Sequence, residues 1–196
     1  MPEPEPRDRH LRETPVDARL VHDGAFMRFR VDTVRDPDGG LHQRMVVDHP
    51  GAVTVLPLRG RELLMVRQFR HAAGSALLEL PAGTLDRRPD GSIEPPDEAA
   101  PRELAEETGH RAGRWQRLGS FWTAPGFATE LMHLYLARDL SPIEGYAGPE
   151  PDERLDVVPV DRTEALRMCE SGAIVDAKTM IGCFWLDRLA ARGELD

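Results

Sequence analysis

The segment RELAEETG, residues 102–109, carries three glutamates on one side of a helical stretch. Glu103, Glu106 and Glu107 are separated by three and four positions, so their side chains share one helix face. Like charges at this spacing destabilise an isolated helix by about 0.2–0.5 kcal/mol per pair. A solvated acidic face is one interpretation of such a segment. The other is a binding site for divalent cations, because carboxylate oxygens are hard ligands that these cations prefer.

Length and composition indicate a globular protein. The chain has 196 residues, of which 40% are hydrophobic and 30% are charged, and these values fit one domain with a small N-terminal extension. No apolar run approaches the roughly 20 residues that span a bilayer. The opening MPEPEPRDRHLRE has charges and prolines where a secretory signal has an apolar core. We therefore expect a frayed terminus, a cytoplasmic location and no membrane partner.

The charge of the chain argues against nucleic-acid binding, and its two cysteines argue against a disulfide framework or a zinc site. The net charge is -9 and the 25 basic residues are scattered along the sequence, which argues against a nucleic-acid partner. Cys169 and Cys183 have no pairing or metal-ligand pattern around them, so we expect two buried thiols. An acidic protein that acts on an anion must neutralise charge locally, and cations held by clustered carboxylates are one way to do so.

Hydrophobic alternation and turn residues predict a mixed α/β protein. Residues 18–47 contain short β-rich runs around the turn DPDGG, residues 36–40, and predict a small antiparallel sheet. Residues 86–96 are polar and proline-rich, and they precede a helix that reaches Glu107 and stops at Gly109. Other predicted strands are AVTVLPL, ELLMVRQF, GSFWTAP, LMHLYLA and LDVVPV, and other predicted helices cover residues 163–171 and 177–192.

The glutamate segment resembles the Nudix box. That box has a glycine, five residues, a glutamate, seven residues, and then Arg-Glu-apolar-x-Glu-Glu-x-Gly-apolar. Seven residues separate Glu94 from Arg102 here, as in the family, but ten separate Gly83 from Glu94, and His110 stands at the final apolar position. The matching residues are Gly83, Glu94, Arg102, Glu103, Leu104, Glu106, Glu107 and Gly109.

Two departures from the box concern the start of its helix. Loop insertions cost little closure entropy, so we expect the five extra residues, within DRRPDGSIE, to enlarge a surface loop and leave the helix in place. Pro101 would fall inside a helix that starts near Pro96, so this helix either starts later or is kinked.

The resemblance extends over residues 46–186, and this whole stretch is similar to the ADP-ribose pyrophosphatase subfamily. It includes DHPGAVTVLPL, VRQFRHAAGSALLELPAG, TAPGFATE and CESGAIVDAKTMIGCFWL. The subfamily is marked by a proline about sixteen residues beyond the box, and Pro125 lies sixteen after Gly109. This resemblance implies hydrolysis of the diphosphate bond of ADP-ribose to AMP and ribose 5-phosphate. A related enzyme for another nucleoside diphosphate sugar, such as GDP-mannose, and a catalytically silent nucleotide-binding domain remain alternatives.

The fold that the resemblance implies is an α/β/α sandwich with a mixed sheet, preceded by a small N-terminal antiparallel β-sheet. Residues 1–48 would form the extension, which exchanges strands across a homodimer, and residues 49–196 the catalytic domain. A sheet of about 30 residues is marginally stable on its own, so another surface is needed to cover it.

The metal ligands implied by the resemblance are the carbonyl of Ala82 and the carboxylates of Glu103, Glu106 and Glu107. These oxygen ligands suit Mg²⁺ or Mn²⁺. Such cations bridge a diphosphate and lower the pKa of an attacking water. Arg102 is expected to pair with Glu94 and fix the helix geometry, and we count Arg102 and Glu106 among the catalytic residues.

The general base is expected in the acidic segment GPEPDERLD, residues 148–156, where the subfamily has a flexible acidic loop. Glu153 is the first candidate, and Asp152 and Glu150 are alternatives. Glu153 could instead ligate metal while a neighbour takes the proton, and a solvated acidic loop is the simplest alternative.

Substrate-binding residues are also implied by the resemblance. Arg70 matches an arginine that meets phosphate, for which a guanidinium offers two parallel hydrogen bonds. Glu79 matches a position near the substrate ribose, although it could instead orient its strand through a structural hydrogen bond. Pro125 and Gly126 are expected to shape a loop over the terminal sugar.

Overall fold

The structure, a computed structural model, describes residues 6–149 and 154–195 and divides into two compact units. The first unit ends at Pro50 and also takes in Ala124–Glu130. The second unit contains Gly51–Thr123 and the chain from Leu131 onward. The N-terminal boundary expected at residue 48 lies close to Pro50, whereas the inclusion of Ala124–Glu130 in the first unit was not anticipated.

The first unit is built on a three-stranded antiparallel sheet in the order β1-β2-β3. Its strands are β1 Thr14–Asp23, β2 Arg28–Arg35 and β3 Leu41–Asp48. The DPDGG turn joins β2 to β3, and the side chain of Asp36 accepts a hydrogen bond of 2.7 Å from the amide of Gly40. Gly39 has a φ of 92°, which favours glycine at that position. The predicted hairpin is therefore confirmed.

Residues 124–130 pack along β3. The amide of Val47 donates to the carbonyl of Phe127 at 2.7 Å, and the amide of Thr129 donates to the carbonyl of Val47 at 3.0 Å. These bonds satisfy backbone groups of an edge strand that would otherwise need water. The opposite edge is β1, and every residue of this strand is exposed.

The second unit is built on a seven-stranded mixed sheet. Its main path runs β10-β5-β4-β9-β8, with β6 paired to β5 and β7 paired to β4. Among the described strands of this sheet, β4 and β9 are parallel and the other pairs are antiparallel. The strands are β4 Ala52–Arg59, β5 Glu62–Arg70, β6 Ser75–Glu79, β7 Ala82–Thr84, β8 His110–Trp122, β9 Leu131–Pro142 and β10 Leu155–Asp161.

In the part of the chain that the structure describes, this sheet is covered by three α-helices, α1 Pro96–Thr108, α2 Arg162–Ser171 and α3 Ala177–Ala191. The two faces of β4 show how they are arranged. Val53 and Val55 pack in one core with Leu104 of α1. Leu56 and Leu58 point the other way, into a second core that contains side chains of α2 and α3. Since side chains alternate along a strand, the sheet lies between helices, and the expected α/β/α sandwich is confirmed.

Helix α1 begins at Pro96 and contains Pro101. The helix therefore starts at Pro96, and the alternative that it starts after Pro101 is wrong. Proline at the first helical position costs no hydrogen bond, because that amide has no partner within the helix. Gly109 ends the helix with a φ of 67°, in the left-handed conformation that the sequence predicted.

Strand β8 is longer than predicted. The sequence placed a strand near GSFWTAP, whereas β8 already begins at His110. This strand lies at an edge of the sheet and has only half-buried and exposed positions. Arg111, Arg114 and Arg117, at every third position, obscured the alternation that marks a strand.

Two smaller expectations concern the cysteines and membrane segments. Cys169 and Cys183 are buried free thiols, as predicted, and burial raises the pKa of both. Within the described ranges, no helix has the length and apolar character needed to cross a membrane.

Candidate active site

Arg102 is the centre of a carboxylate cluster on α1. Its Nε and Nη2 atoms donate to the two carboxylate oxygens of Glu94 at 3.1 and 2.7 Å. Its Nη1 atom donates to Glu103 and to Glu106, at 2.8 Å each. The hydrogen bonds with Glu94 and the negative charges of Glu103 and Glu106 raise the pKa of Arg102. The guanidinium is therefore a fixed positive charge among three glutamates.

The lengthened part of the box forms a small hairpin that returns the chain to the helix. Arg87 and Ile93 pair across it, and the amide of Glu94 donates to the carbonyl of Asp86 at 2.8 Å. The hydrogen bond from Arg102 lowers the pKa of Glu94. The extra residues are thus accommodated in the hairpin, and Glu94 makes the pair with Arg102 that the resemblance to the Nudix box implied.

Strand β7 lies directly against the glutamate face of α1. The amide of Ala82 donates to Glu107 at 3.0 Å. A β-carbon on Gly83 would overlap the carboxylate of Glu103, so the backbone approaches this glutamate as closely as glycine alone permits. Glu103 and Glu107 are both buried. The structure therefore brings Ala82, Glu103 and Glu107 together, and Glu106 joins them through Arg102.

The donor chemistry of this cluster suits a hard divalent cation, because its side-chain ligands are carboxylates. Among residues 6–149 and 154–195, however, no group of three or more His, Cys, Asp or Glu side chains has the arrangement of a preformed metal site. The cation found between Glu103 and Glu106 is the guanidinium of Arg102. These side chains would have to shift relative to Arg102 to ligate a metal ion together.

A second charged cluster contains Arg70 and Glu79. Arg70 donates from Nε and Nη2 to the two oxygens of Glu79, both at 2.8 Å. Glu79 is only 1% exposed. Burial would raise the pKa of Glu79, but the ion pairs with Arg70 and Lys178 outweigh burial and lower it. Glu79 is thus an ionised buried carboxylate, and its contacts favour orienting Arg70 over direct contact with a ligand.

Lys178, the second residue of α3, was missed by the sequence-based predictions. Its ammonium forms an ion pair with Glu79, which lies 99 positions away in the sequence. The signal that could have revealed it is compositional, because Lys178 is the only lysine of the chain.

Arg70 is electrostatically connected to the metal-ligand candidates. The hydrogen bond with Glu79 is the main cause of its raised pKa, and the negative charge of Glu107 contributes. A guanidinium with one carboxylate partner can still offer parallel hydrogen bonds to a phosphate, and Glu107 would hold a cation that neutralises the charge of such a ligand.

The remaining predicted site residues are Pro125, Gly126 and the candidates for the general base. Pro125 and Gly126 belong to the first unit, in a turn where the amides of Phe127 and Ala128 donate to the carbonyl of Ala124 at 3.0 and 2.8 Å. The candidates for general base, Glu150, Asp152 and Glu153, lie outside the described residues.

Substituting alanine for Gly83 tests the close approach of β7 to Glu103. The added methyl group would displace the Glu103 carboxylate, which is the movable end of a side chain, so the fold should survive. We expect Gly83→Ala to retain its thermal unfolding midpoint within a few degrees and to lose catalytic activity by roughly 10–100-fold.

Gly119→Ala is the matched control, because a β-carbon on this strand glycine meets no atom within 4 Å. Its activity and unfolding midpoint should equal those of the unmodified protein. Full activity of Gly83→Ala would show that the position of the Glu103 carboxylate does not matter for turnover.

Comparisons with known proteins identify the family of this chain. The NUDIX domain family model matches residues 48–178. The methanol dehydrogenase activator of Bacillus methanolicus is 37% identical over 175 residues, covering 89% of this chain and 92% of the relative. The ADP-ribose pyrophosphatase of Bacillus subtilis is 36% identical, covering 87% of this chain and 90% of the relative. The ADP-ribose pyrophosphatase of Mycobacterium tuberculosis is 39% identical, covering 85% of this chain and 79% of the relative.

A solved structure supports the fold. The crystal structure of an ADP compounds hydrolase superposes with a TM-score of 0.77 at 21% identity, covering 93% of this chain and 97% of that one. The family model covers most of the second unit and includes both the Arg102 cluster and the Arg70–Glu79 pair. The chain therefore belongs to the NUDIX domain family.

Proposed function

We propose that this NUDIX protein hydrolyses the diphosphate bond of ADP-ribose and releases AMP and ribose 5-phosphate. The observation that carries the proposal is the cluster of Glu94, Glu103 and Glu106 around Arg102, next to the Ala82–Glu107 hydrogen bond. ADP-ribose pyrophosphatases of two bacteria are 36% and 39% identical to most of this chain. They make ADP-ribose the first choice of substrate.

Nudix hydrolases generally need divalent metal ions, and we propose Mg²⁺ or Mn²⁺ here. When bound, these ions neutralise the diphosphate and lower the pKa of the attacking water. The carbonyl of Ala82 and the carboxylates of Glu103, Glu106 and Glu107 would hold them. Arg102 bridges Glu103 and Glu106 through its Nη1 atom, and Glu94 fixes the orientation of Arg102 through two hydrogen bonds.

The substrate would be oriented by Arg70. Its guanidinium is held by Glu79 on one edge while its side chain is 40% exposed, so the other edge is available to a phosphate. Pro125 and Gly126 are proposed to shape the loop over the terminal sugar. Glu153 is proposed to take the proton from the attacking water, with Asp152 or Glu150 as alternatives.

The three-stranded sheet of the first unit is proposed to join two copies of the chain. Strand β1 is an edge strand on which all ten residues are exposed, including the apolar Val16, Leu20 and Val21. An exposed apolar edge strand is a template for pairing with another chain. A homodimer would cover it and supply the surface that a small sheet needs.

We also propose a cytoplasmic location. Cys169 and Cys183 are free thiols in a common core, and free cysteines are typical of reducing compartments.

A substrate panel tests the reaction. We expect metal-dependent release of AMP and ribose 5-phosphate from ADP-ribose, at a higher kcat/KM than for GDP-mannose, and no reaction in EDTA. Fastest turnover of GDP-mannose would favour the related nucleotide-sugar hydrolase. Binding of ADP-ribose without turnover of any panel member would favour a silent nucleotide-binding domain.

Within that assay, Glu107→Gln should reduce kcat by roughly 100-fold or more and leave the fold intact. The amide retains an acceptor oxygen for the amide of Ala82 but removes the negative charge that a cation needs. Glu98→Gln is the control, because Glu98 is an exposed residue of the same helix, paired with Arg88. Unchanged activity of Glu107→Gln would contradict the assignment of this glutamate as a metal ligand.

The dimer is tested by Leu20→Glu, which places a charge on the exposed strand β1. Sedimentation analysis should show a dimer for the unmodified protein and a monomer for this variant. Val175→Glu, at an exposed apolar position of the second unit, is the matched control and should remain dimeric. A monomer in the unmodified protein at micromolar concentration would contradict the proposal.

A further inference from the structure

Lys178 differs from the other basic residues of the chain. The sequence contains 25 lysines and arginines, and Lys178 is the single lysine among them. Its side chain is only 10% exposed and contacts the carboxylates of Glu79 and Asp176, the latter at 3.1 Å. All the other residues in that count are arginines. The one lysine ammonium is nearly buried between two carboxylates.

The chemistry of this position favours an ammonium. A buried cation is costly unless it is paired, and Lys178 has two acidic partners. An ammonium is a compact charge with three donors, whereas a guanidinium is a larger planar fork. Glu79 already receives such a fork from Arg70. A compact cation can approach the same carboxylate from another side.

Asp176 holds the start of α3 in place. As N-cap it accepts hydrogen bonds from the amide of Thr179 at 3.0 Å and from the Thr179 hydroxyl at 2.6 Å. The positive end of the helix dipole compensates its charge. Glu79 therefore faces two cations, Arg70 and Lys178, of which only Lys178 has a second carboxylate partner among these contacts.

The same helix start also holds the segment that follows Glu79. The Thr179 hydroxyl accepts a hydrogen bond of 2.8 Å from the amide of Leu80. The carbonyl of Pro81 accepts from the amide of Val55 at 2.9 Å. Glu79 is thus fixed both through its carboxylate and through the backbone that follows it.

We propose that Lys178 is a positioning residue for substrate binding. It holds the carboxylate of Glu79 in place, and Glu79 in turn directs the exposed edge of the Arg70 guanidinium toward a substrate phosphate. This inference rests on the proposed function of Arg70. Two cations share the carboxylate of Glu79, so Arg70 keeps positive charge for the phosphate. Without Lys178, Glu79 would neutralise Arg70 alone.

The kinetic test uses Lys178→Met, which keeps most of the length of the side chain and removes its charge. We expect KM for ADP-ribose, and Kd measured by calorimetry in EDTA, to rise roughly tenfold while kcat changes by less than about threefold. Lys178→Arg should not restore binding, because the site holds a compact charge. Arg114→Met, which removes an exposed ion pair with Asp139, should leave both constants unchanged.

Wild-type KM and Kd in a folded Lys178→Met variant would overturn the proposal. So would a loss of kcat without a change in Kd. If Lys178→Met does not fold, Lys178→Gln provides the same test, because its amide can still donate to Glu79 without carrying charge. Recovery of wild-type Kd in that variant would equally contradict a role for the ammonium charge.

A second readout is independent of the substrate. Lys178 carries the only side-chain amine of the chain, so acetylation by an amine-reactive ester, followed by peptide mass spectrometry, reports on this residue alone. The native protein should react at least roughly tenfold more slowly than the urea-unfolded protein, and Glu79→Gln should react faster than wild type. Equal rates for the native and unfolded protein would overturn the ion-pair arrangement. If Lys178 is protected from acetylation but the protein turns over no nucleotide sugar, the proposed function has failed and the ion-pair arrangement has not.

Discussion

The pairing of one guanidinium with three carboxylates is the interaction on which the candidate active site depends. Arg102 holds Glu94, Glu103 and Glu106 around a single positive charge. Without it, a helix face with three glutamates would be destabilised by repulsion between like charges. The bonds to Glu94 also connect the loop before α1 to the helix. Charge compensation and loop placement are therefore achieved by the same side chain.

A similar arrangement recurs at the Arg70–Glu79 pair. There a buried carboxylate is held between Arg70 and Lys178, and Asp176 connects Lys178 to the start of α3. The protein as a whole carries a net charge of -9, but in both clusters its carboxylates are organised by cations. A buried charge that lost such a partner would be strongly destabilised, so these pairs also fix the geometry. Strand β7 begins three residues after Glu79, and the amide of its first residue, Ala82, donates to Glu107 of α1.

The parts of the fold and site that the sequence predicted are those with local signals. The DPDGG hairpin and the end of α1 at Gly109 depend on turn chemistry and capping, whereas the Arg102–Glu94 pair was implied by the resemblance to the Nudix box. The contacts that were missed join distant parts of the chain. Lys178 meets Glu79 across 99 positions, and residues 124–130 pair with β3. Such contacts depend on how the sheet assembles, and no local pattern encodes them.

The central proposal is that Glu103, Glu106 and Glu107 bind a divalent cation. The most direct measurement is a calorimetric titration of Mn²⁺ into the metal-free protein and its Glu106→Gln variant, without substrate. We predict saturable binding to the unmodified protein and affinity at least roughly tenfold weaker in the variant, because one charged oxygen ligand is lost. Absence of saturable binding, or equal affinity in both proteins, would contradict the account.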